Sequence, residues 1–276
     1  LYKEIPQFYL INSDITLSEF KVIYYWEYFH RILGRILGIL FLIPLFYFYY
    51  KRVFTKEYNY KLFALFILIL IQGAVGWYMV QSGLVDNVTV SHYRLATHLN
   101  LALILFTATF WYLLNLKNLE NKRFFNFSSE YNYIKVFIVL VFLQITFGAF
   151  TSGLDAGMIY QTWPLMNETY FPDDFVFTNS IINLLNQESF VQFIHRNLAY
   201  VITFYTIFLL IYVLYKKLSH LYNAIFFLVL IISIQVFLGI LTLISGVNIV
   251  FASMHQLSTI FLIIFTINFY YKSIIQ

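Results

Sequence analysis

The sequence predicts an all-α polytopic membrane protein with seven transmembrane helices in this chain. The 276 residues are 61% hydrophobic and only 11% charged, against about a quarter charged in a soluble domain. The apolar residues also gather in runs of about 18 or more, the length that crosses a bilayer as helix. A third observation organises the spans. One ordered set of polar residues occurs twice, which predicts two pseudo-repeated four-helix bundles with the first helix missing from this chain.

Seven apolar spans are read at 24–50, 61–81, 94–116, 133–152, 190–215, 222–245 and 249–271. Loop basic residues such as Lys51, Arg52, Lys56, Lys117, Lys122, Arg123, Lys216 and Lys217 fall on one side of this arrangement. The positive-inside rule makes that side cytoplasmic, or matrix-facing in a mitochondrion. Most acids, among them Asp14, Glu19, Asp86, Asp155, Glu168, Asp173 and Asp174, fall on the other side. The segment 1–23 and the long loop 153–189 are therefore expected outside. The net charge of +4 reads as membrane topology, and no nucleic-acid partner is expected. The chain has no cysteine, which excludes disulfides, thiolate metal sites and iron–sulfur clusters.

Taken in order, the first span opens with Glu27, His30 and Arg31, with Arg35 one turn further on. The second carries Gln72 and Gly76 and ends at Ser82-Gly83; the third carries His98. The fourth carries Gln144, Gly148, Ser152 and Gly153. The fifth opens with His195-Arg196, the sixth carries Gln235, Gly239, Ser245 and Gly246, and the seventh carries His255. The order His-Arg, Gln-x3-Gly, Ser-Gly, His thus appears twice in matching topological positions, so the repeat is parallel. It divides the chain into an N-terminal half, 1–116, and a C-terminal half, 117–276. Gly153 stands 42 residues before His195, and the same offset before His30 falls upstream of Leu1. That is the basis for expecting a first helix beyond this chain. Gly73, Gly76, Gly148 and Gly239 read as small residues that let membrane helices approach closely.

Of six histidines, His92 and His220 are placed in loops and read as solvated. The other four, His30, His98, His195 and His255, are each placed one to two turns inside the outer end of a span, one pair per half. Ionisable residues inside a membrane mark function by default. Two imidazoles at one level on neighbouring helices suit axial ligation of a haem iron. Zinc would need a larger ligand cluster than either half offers. Arg31 and Arg196 follow their histidines near the outer surface, where a planar guanidinium can pair with a haem propionate. Snorkelling to the lipid interface is the plainer alternative for both.

The halves are not equivalent. Glu27 precedes His30 by three and shares its helix face, whereas the matching position before His195 is Gln192. A carboxylate beside one site only is a candidate for proton transfer or charge stabilisation. This predicts a reactive first-half site and a supporting second-half site. The loop sequence GLDAGMIYQTWPLMNE at 153–168, with its glycines, aromatics and Pro164, suits an ordered cap.

These stretches together resemble the haem A synthase family of membrane proteins. The residues that carry the likeness are LSEFKVIYYWEYFHRILGR at 17–35, YRLATHLNLAL at 93–103, GLDAGMIYQTWPLMNE at 153–168, FIHRNLAY at 193–200 and MHQLSTIFL at 254–262. The likeness is to the mitochondrial and alphaproteobacterial branch, which lacks an external cysteine pair. The resemblance implies eight helices and an oxidoreductase that converts the C8 methyl group of haem O to a formyl group, giving haem A for cytochrome oxidase. It implies His30 and His98 as ligands of the substrate haem, Glu27 as the essential carboxylate, and His195 and His255 as ligands of a permanent haem b. It implies a bacterial cytoplasmic or mitochondrial inner membrane, with the haem sites toward the outer side. Haem O synthase and cytochrome oxidase assembly factors are the partners it suggests, with a homo-oligomer left open. The rival readings are a di-haem electron carrier, which leaves the Glu27/Gln192 difference unexplained, and a haem transporter, which predicts labile binding at both sites and an unchanged macrocycle.

Overall fold

The computed structural model describes residues 3, 6–10, 12–83, 89–125 and 132–274. Leu1, where the sequence begins, and Asp86 lie outside them, as do the side chains of Ser82 and Gly83. Among the described residues the structure is helical, with one isolated bridge pairing Met166 and Thr169. The helices are α1 (Pro6–Leu10), α2 (Leu17–Tyr50), α3 (Lys56–Gly83), α4 (His92–Asn118), α5 (Asn132–Gly153), α6 (Ile181–Leu185), α7 (Glu188–Tyr215), α8 (Tyr222–Ile244) and α9 (Ile249–Ser273). Seven of them, α2 to α5 and α7 to α9, are long and apolar enough to cross a membrane. Only helices can do so while every backbone group stays bonded within its own segment. The chain is a multi-pass membrane protein.

The largest departure from the sequence reading is the start of α2. Hydropathy places the span at 24, but the helix begins at Leu17. Thr16 caps it: its Oγ1 accepts the Glu19 amide at 3.3 Å, and Glu19 Oε2 accepts the Thr16 amide at 2.9 Å. This reciprocal box satisfies the first orphan donors of the helix. Its cause is local hydrogen bonding, which a hydropathy window does not weigh. The 34 residues of α2 extend for about 51 Å, well beyond a hydrocarbon core of about 30 Å. His30 therefore stands 13 residues into its helix, not one to two turns. His98, His195 and His255 stand six, seven and six residues into theirs, as expected.

The chain forms two compact units, Leu1–Leu105 and Phe106–Gln276. In the first, α2 packs on α3. In the second, α8 packs along α9, α5 against α7, and α7 against α8. The buried side chains of this second bundle are chiefly apolar, among them Phe137, Val141, Leu209, Leu228 and Ile263. Polar side chains inside the spans turn back on their own helices: Thr146 to Phe142 O, Thr203 to Ala199 O, Thr206 to Ile202 O and Thr242 to Leu238 O, each at 2.8 Å. That satisfies the hydroxyl where no water is at hand.

One end of the second unit is closed by a polar and aromatic cluster. Trp111 is 2% exposed and lies edge-on to Phe124 and Tyr271. Its indole N–H donates to Lys122 O at 3.0 Å, and Asn115 brackets Lys122 through its amide N and carbonyl O. The Tyr271 hydroxyl donates to Glu120 Oε2 at 2.6 Å, and Lys122 Nζ lies 3.1 Å from the same carboxylate. The residues after α4 are thereby fastened to α9.

The Tyr271 hydroxyl, with Lys122 behind it, holds the Glu120 carboxyl below the usual glutamate range. The unfolded chain then binds the extra proton, so the stabilisation is present above the ordinary glutamate value. It is lost as pH falls through the lowered folded value. Thermal unfolding in detergent is expected to show that acid-side loss in the native protein and not in Glu120→Gln. Trp111→Ala removes the ring and its bond together and is expected to cost about 3 kcal/mol or more in the same measurement.

Candidate intramembrane histidine sites

In the first unit the imidazoles of His30 on α2 and His98 on α4 face each other. Their ring centroids are 6.4 Å apart and the planes are inclined at 74°. Two imidazoles sharing one metal through bonds of about 2 Å have centroids roughly 6 Å apart. From α3, Gln72 Nε2 donates to the His98 main-chain O at 3.1 Å and lies 3.4 Å from ring Nε2. Gly76, one turn on, lies beneath the ring: a Cβ there would stand 2.7 Å from His98 Cε1. Glu27, which shares the histidine's helix face, is ion-paired with Arg31 one turn below, and both side chains are about half exposed (50% and 51%).

The second unit repeats the construction. From α5, Gln144 Nε2 lies 3.4 Å from His195 Nε2, and a Cβ on Gly148 would stand 3.1 Å from His195 Cε1. From α8, a Cβ on Gly239 would stand 3.2 Å from His255 Cε1. Gln235 reaches His255 one step removed: its Nε2 donates to Thr259 Oγ1 at 3.2 Å, and that hydroxyl donates to His255 O at 3.3 Å. Gly76, Gly148 and Gly239 therefore make room for an imidazole of the next helix, where the sequence suggested only close helix approach. Gly73 meets nothing within 4 Å.

The polar flanks of the two histidine helices behave differently. Gln192 is 2% exposed, and its Nε2 donates to Tyr160 O at 2.9 Å. Arg196 donates to the same carbonyl from Nη2 at 2.7 Å, and from Nη1 to Thr162 O at 2.9 Å and Leu165 O at 3.2 Å. Its Nε is buried without a partner. The long loop is ordered, with a 3-10 turn at Ala156–Met158 and the short helix α6. Tyr160, 3% exposed, directs its hydroxyl to Asp173 and to Asp174, the latter at 2.7 Å. Burial, and then those two carboxylates, push the Tyr160 phenol above its ordinary range.

His220 is exposed, as read from the sequence. His92 is not a solvated loop residue. It is the first residue of α4 and is 7% exposed. The sequence offered no signal for this, because the helix starts two residues before the apolar run.

The donor set selects the kind of group that fits. At His98 and His195 a glutamine amide nitrogen, a donor, stands 3.4 Å from ring Nε2, so that nitrogen presents the lone pair an electron-pair acceptor binds. Nδ1 of His98, His195 and His255 is buried without a hydrogen-bond partner. Among the described residues no three or more His, Cys, Asp or Glu side chains gather into a chelating cluster. Histidines in twos, in an apolar bundle, fit axial coordination of a haem better than a structural zinc.

Fold and site together define a multi-pass helical membrane protein with histidines set inside its spans, His30 and His98 facing each other. Comparison with known proteins narrows the class. Residues 1–267 match the family model described as cytochrome oxidase assembly protein, and the chain belongs to that family. It is 46% identical over 266 residues to the heme A synthase of Pelagibacter ubique, which covers 94% of this chain and 76% of that protein. It is 37% identical over 268 residues to the heme A synthase of Rickettsia africae, covering 95% and 78%. The heme A synthase of Flavobacterium johnsoniae is 37% identical over 271 residues, covering 95% and 78%.

The glycine clearances rank a mutational series. Gly76→Ala is expected to displace the His98 ring most, because its Cβ would meet Cε1 closest, with Gly148→Ala and Gly239→Ala milder. The haem content and Soret spectrum of the purified protein report the order, with Gly73→Ala expected to match the native protein.

Proposed function

We propose that this protein is a haem A synthase, an oxidoreductase that converts the C8 methyl group of haem O to a formyl group. The observation that carries this is the pairing of His30 with His98 beside a carboxylate, Glu27, in a chain similar along nearly its whole length to proteins named heme A synthase. In this reading His30 and His98 hold the substrate haem, and His195 and His255 hold a resident haem b. Bound iron supplies the redox chemistry. The sites lie toward the outer face of a bacterial cytoplasmic or mitochondrial inner membrane, as the loop charges favour. Haem O synthase is the natural supplier of so poorly soluble a substrate.

The chain's own residues divide the work. His30 and His98 fix the macrocycle between α2 and α4. Glu27 stands three residues before His30, where its carboxylate can accept a proton or oppose positive charge developing at the methyl carbon. Arg31 orients the Glu27 side chain through their ion pair. A half-exposed ion pair is worth little, about 1 kcal/mol or less, so Arg31 can turn to a propionate at small cost and leave the carboxylate free. Gln192, at the matching place in the other half, cannot ionise and is spent on a loop carbonyl. That difference supports a reactive first half and a supporting second half.

The test is haem extraction and chromatography from a host lacking haem A that expresses the full-length protein with haem O synthase. Haem A or its hydroxylated precursor is expected, and both should vanish with Glu27→Gln or His30→Ala while haem b stays bound. His195→Ala should instead lose the resident haem b. Unchanged haem O beside bound haem b would return the protein to the electron-carrier or transporter reading.

A further inference from the structure

We propose that Gln192 and Arg196 are positioning residues that fasten the 156–171 segment across one end of the second unit, so that the group held by His195 and His255 is retained. The inference rests on the haem b reading above. It assigns Arg196 a role toward the protein's own loop rather than toward a propionate.

Three features carry it. The segment spans the ends of the helices that surround the two histidines. Its 3-10 turn packs on α5 and α7, a Cβ on Gly157 would stand 3.0 Å from Val247, and Gln161 lies 3.5 Å from where a Cβ on Gly246 would be. Gly246 and Val247 form the turn between α8 and α9, both at positive φ. The segment is also pinned to α7 on both sides of His195. Gln192 and Arg196, three residues before and one after, share the Tyr160 carbonyl, and Arg196 adds those of Thr162 and Leu165. Further along, the Tyr170 hydroxyl bonds Asn197 Oδ1, and the Phe171 ring lies edge-on to Phe193 at 4.9 Å. Lastly, the guanidinium is committed. Both Nη atoms bond loop carbonyls, and among the described residues no carboxylate lies within ion-pair distance of it. A planar fork with converging carbonyl acceptors sets one loop conformation. Loss of the haem toward that end then requires those bonds to break.

The test uses full-length protein carrying haem b, with haem loss followed on mixing with excess apomyoglobin. Gln192→Leu and Arg196→Gln are each expected to speed the loss about tenfold, roughly what one or two hydrogen bonds are worth. The bis-histidine spectrum should not change, because no ligand is touched. Proteolysis within 158–171 should quicken in both variants, in haem-free as in loaded protein. The acceleration should persist with haem whose propionates are esterified. Should Arg196→Gln fail to accumulate, Gln192→Leu and Tyr170→Phe carry the test. The proposal is overturned if Gln192→Leu changes neither haem loss nor proteolysis, or if Arg196→Gln acts only on free-acid haem. Unchanged haem content in His195→Ala and His255→Ala would sink the haem b reading instead, and the protease result on haem-free protein would still judge the loop clamp.

Discussion

Every polar group in a bilayer must find its partner inside the protein, and this structure is organised by where that demand is met and where it is left open. Within the spans, threonine hydroxyls fold back on carbonyls of their own helices. The imidazoles of His98, His195 and His255 do not close their accounts: each keeps one ring nitrogen buried and unpartnered. The hydroxyls of Thr107 and Thr266 are likewise buried without a partner, so what sets the imidazoles apart is that they stand opposite glycines of neighbouring helices.

The two units meet that demand with the same parts used for different ends. A glycine on the preceding helix makes room for the ring at His98, at His195 and at His255. A glutamine one turn before that glycine lies against the first two rings directly and reaches the main chain of the third histidine through Thr259. Beside the histidine of α2, the flanking residues are Glu27 and Arg31, paired with each other and half exposed. Beside that of α7 they are Gln192 and Arg196, both turned to the carbonyl of Tyr160. A half-exposed carboxylate held only by a weak ion pair suits chemistry; an amide and a guanidinium bonded to loop backbone suit containment. The same helix positions thus carry different chemistry in the two units without any change in the backbone plan.

Much of this was legible in the residues. Composition and run length fixed a membrane class, because the cost of burying charge in lipid leaves only long apolar helices. Seven spans followed, with ends displaced by local hydrogen bonds such as the Thr16–Glu19 box, to which hydropathy is blind. The order His-Arg, Gln-x3-Gly, Ser-Gly, His marked the residues worth watching. The Glu27/Gln192 difference also stood in the sequence, since one ionises and the other does not.

Tertiary structure decided what those residues face. Spacing along a helix gives a side chain's depth and face but not the neighbour across the gap, which depends on how helices far apart in sequence pack. Only packing shows that Gly76, Gly148 and Gly239 lie against imidazoles, that His92 is buried at a helix start, and that Lys122 sits with Tyr271 and Glu120. Arg196 makes the point most directly. From sequence its guanidinium was a candidate for a propionate or for the lipid interface; in the fold its Nη atoms bond carbonyls 31 to 36 residues away. The sequence by itself determined the membrane class, the paired histidines and their asymmetry, because these depend on residue type and local spacing. The partners of those residues are long-range contacts, and the fold alone chose them.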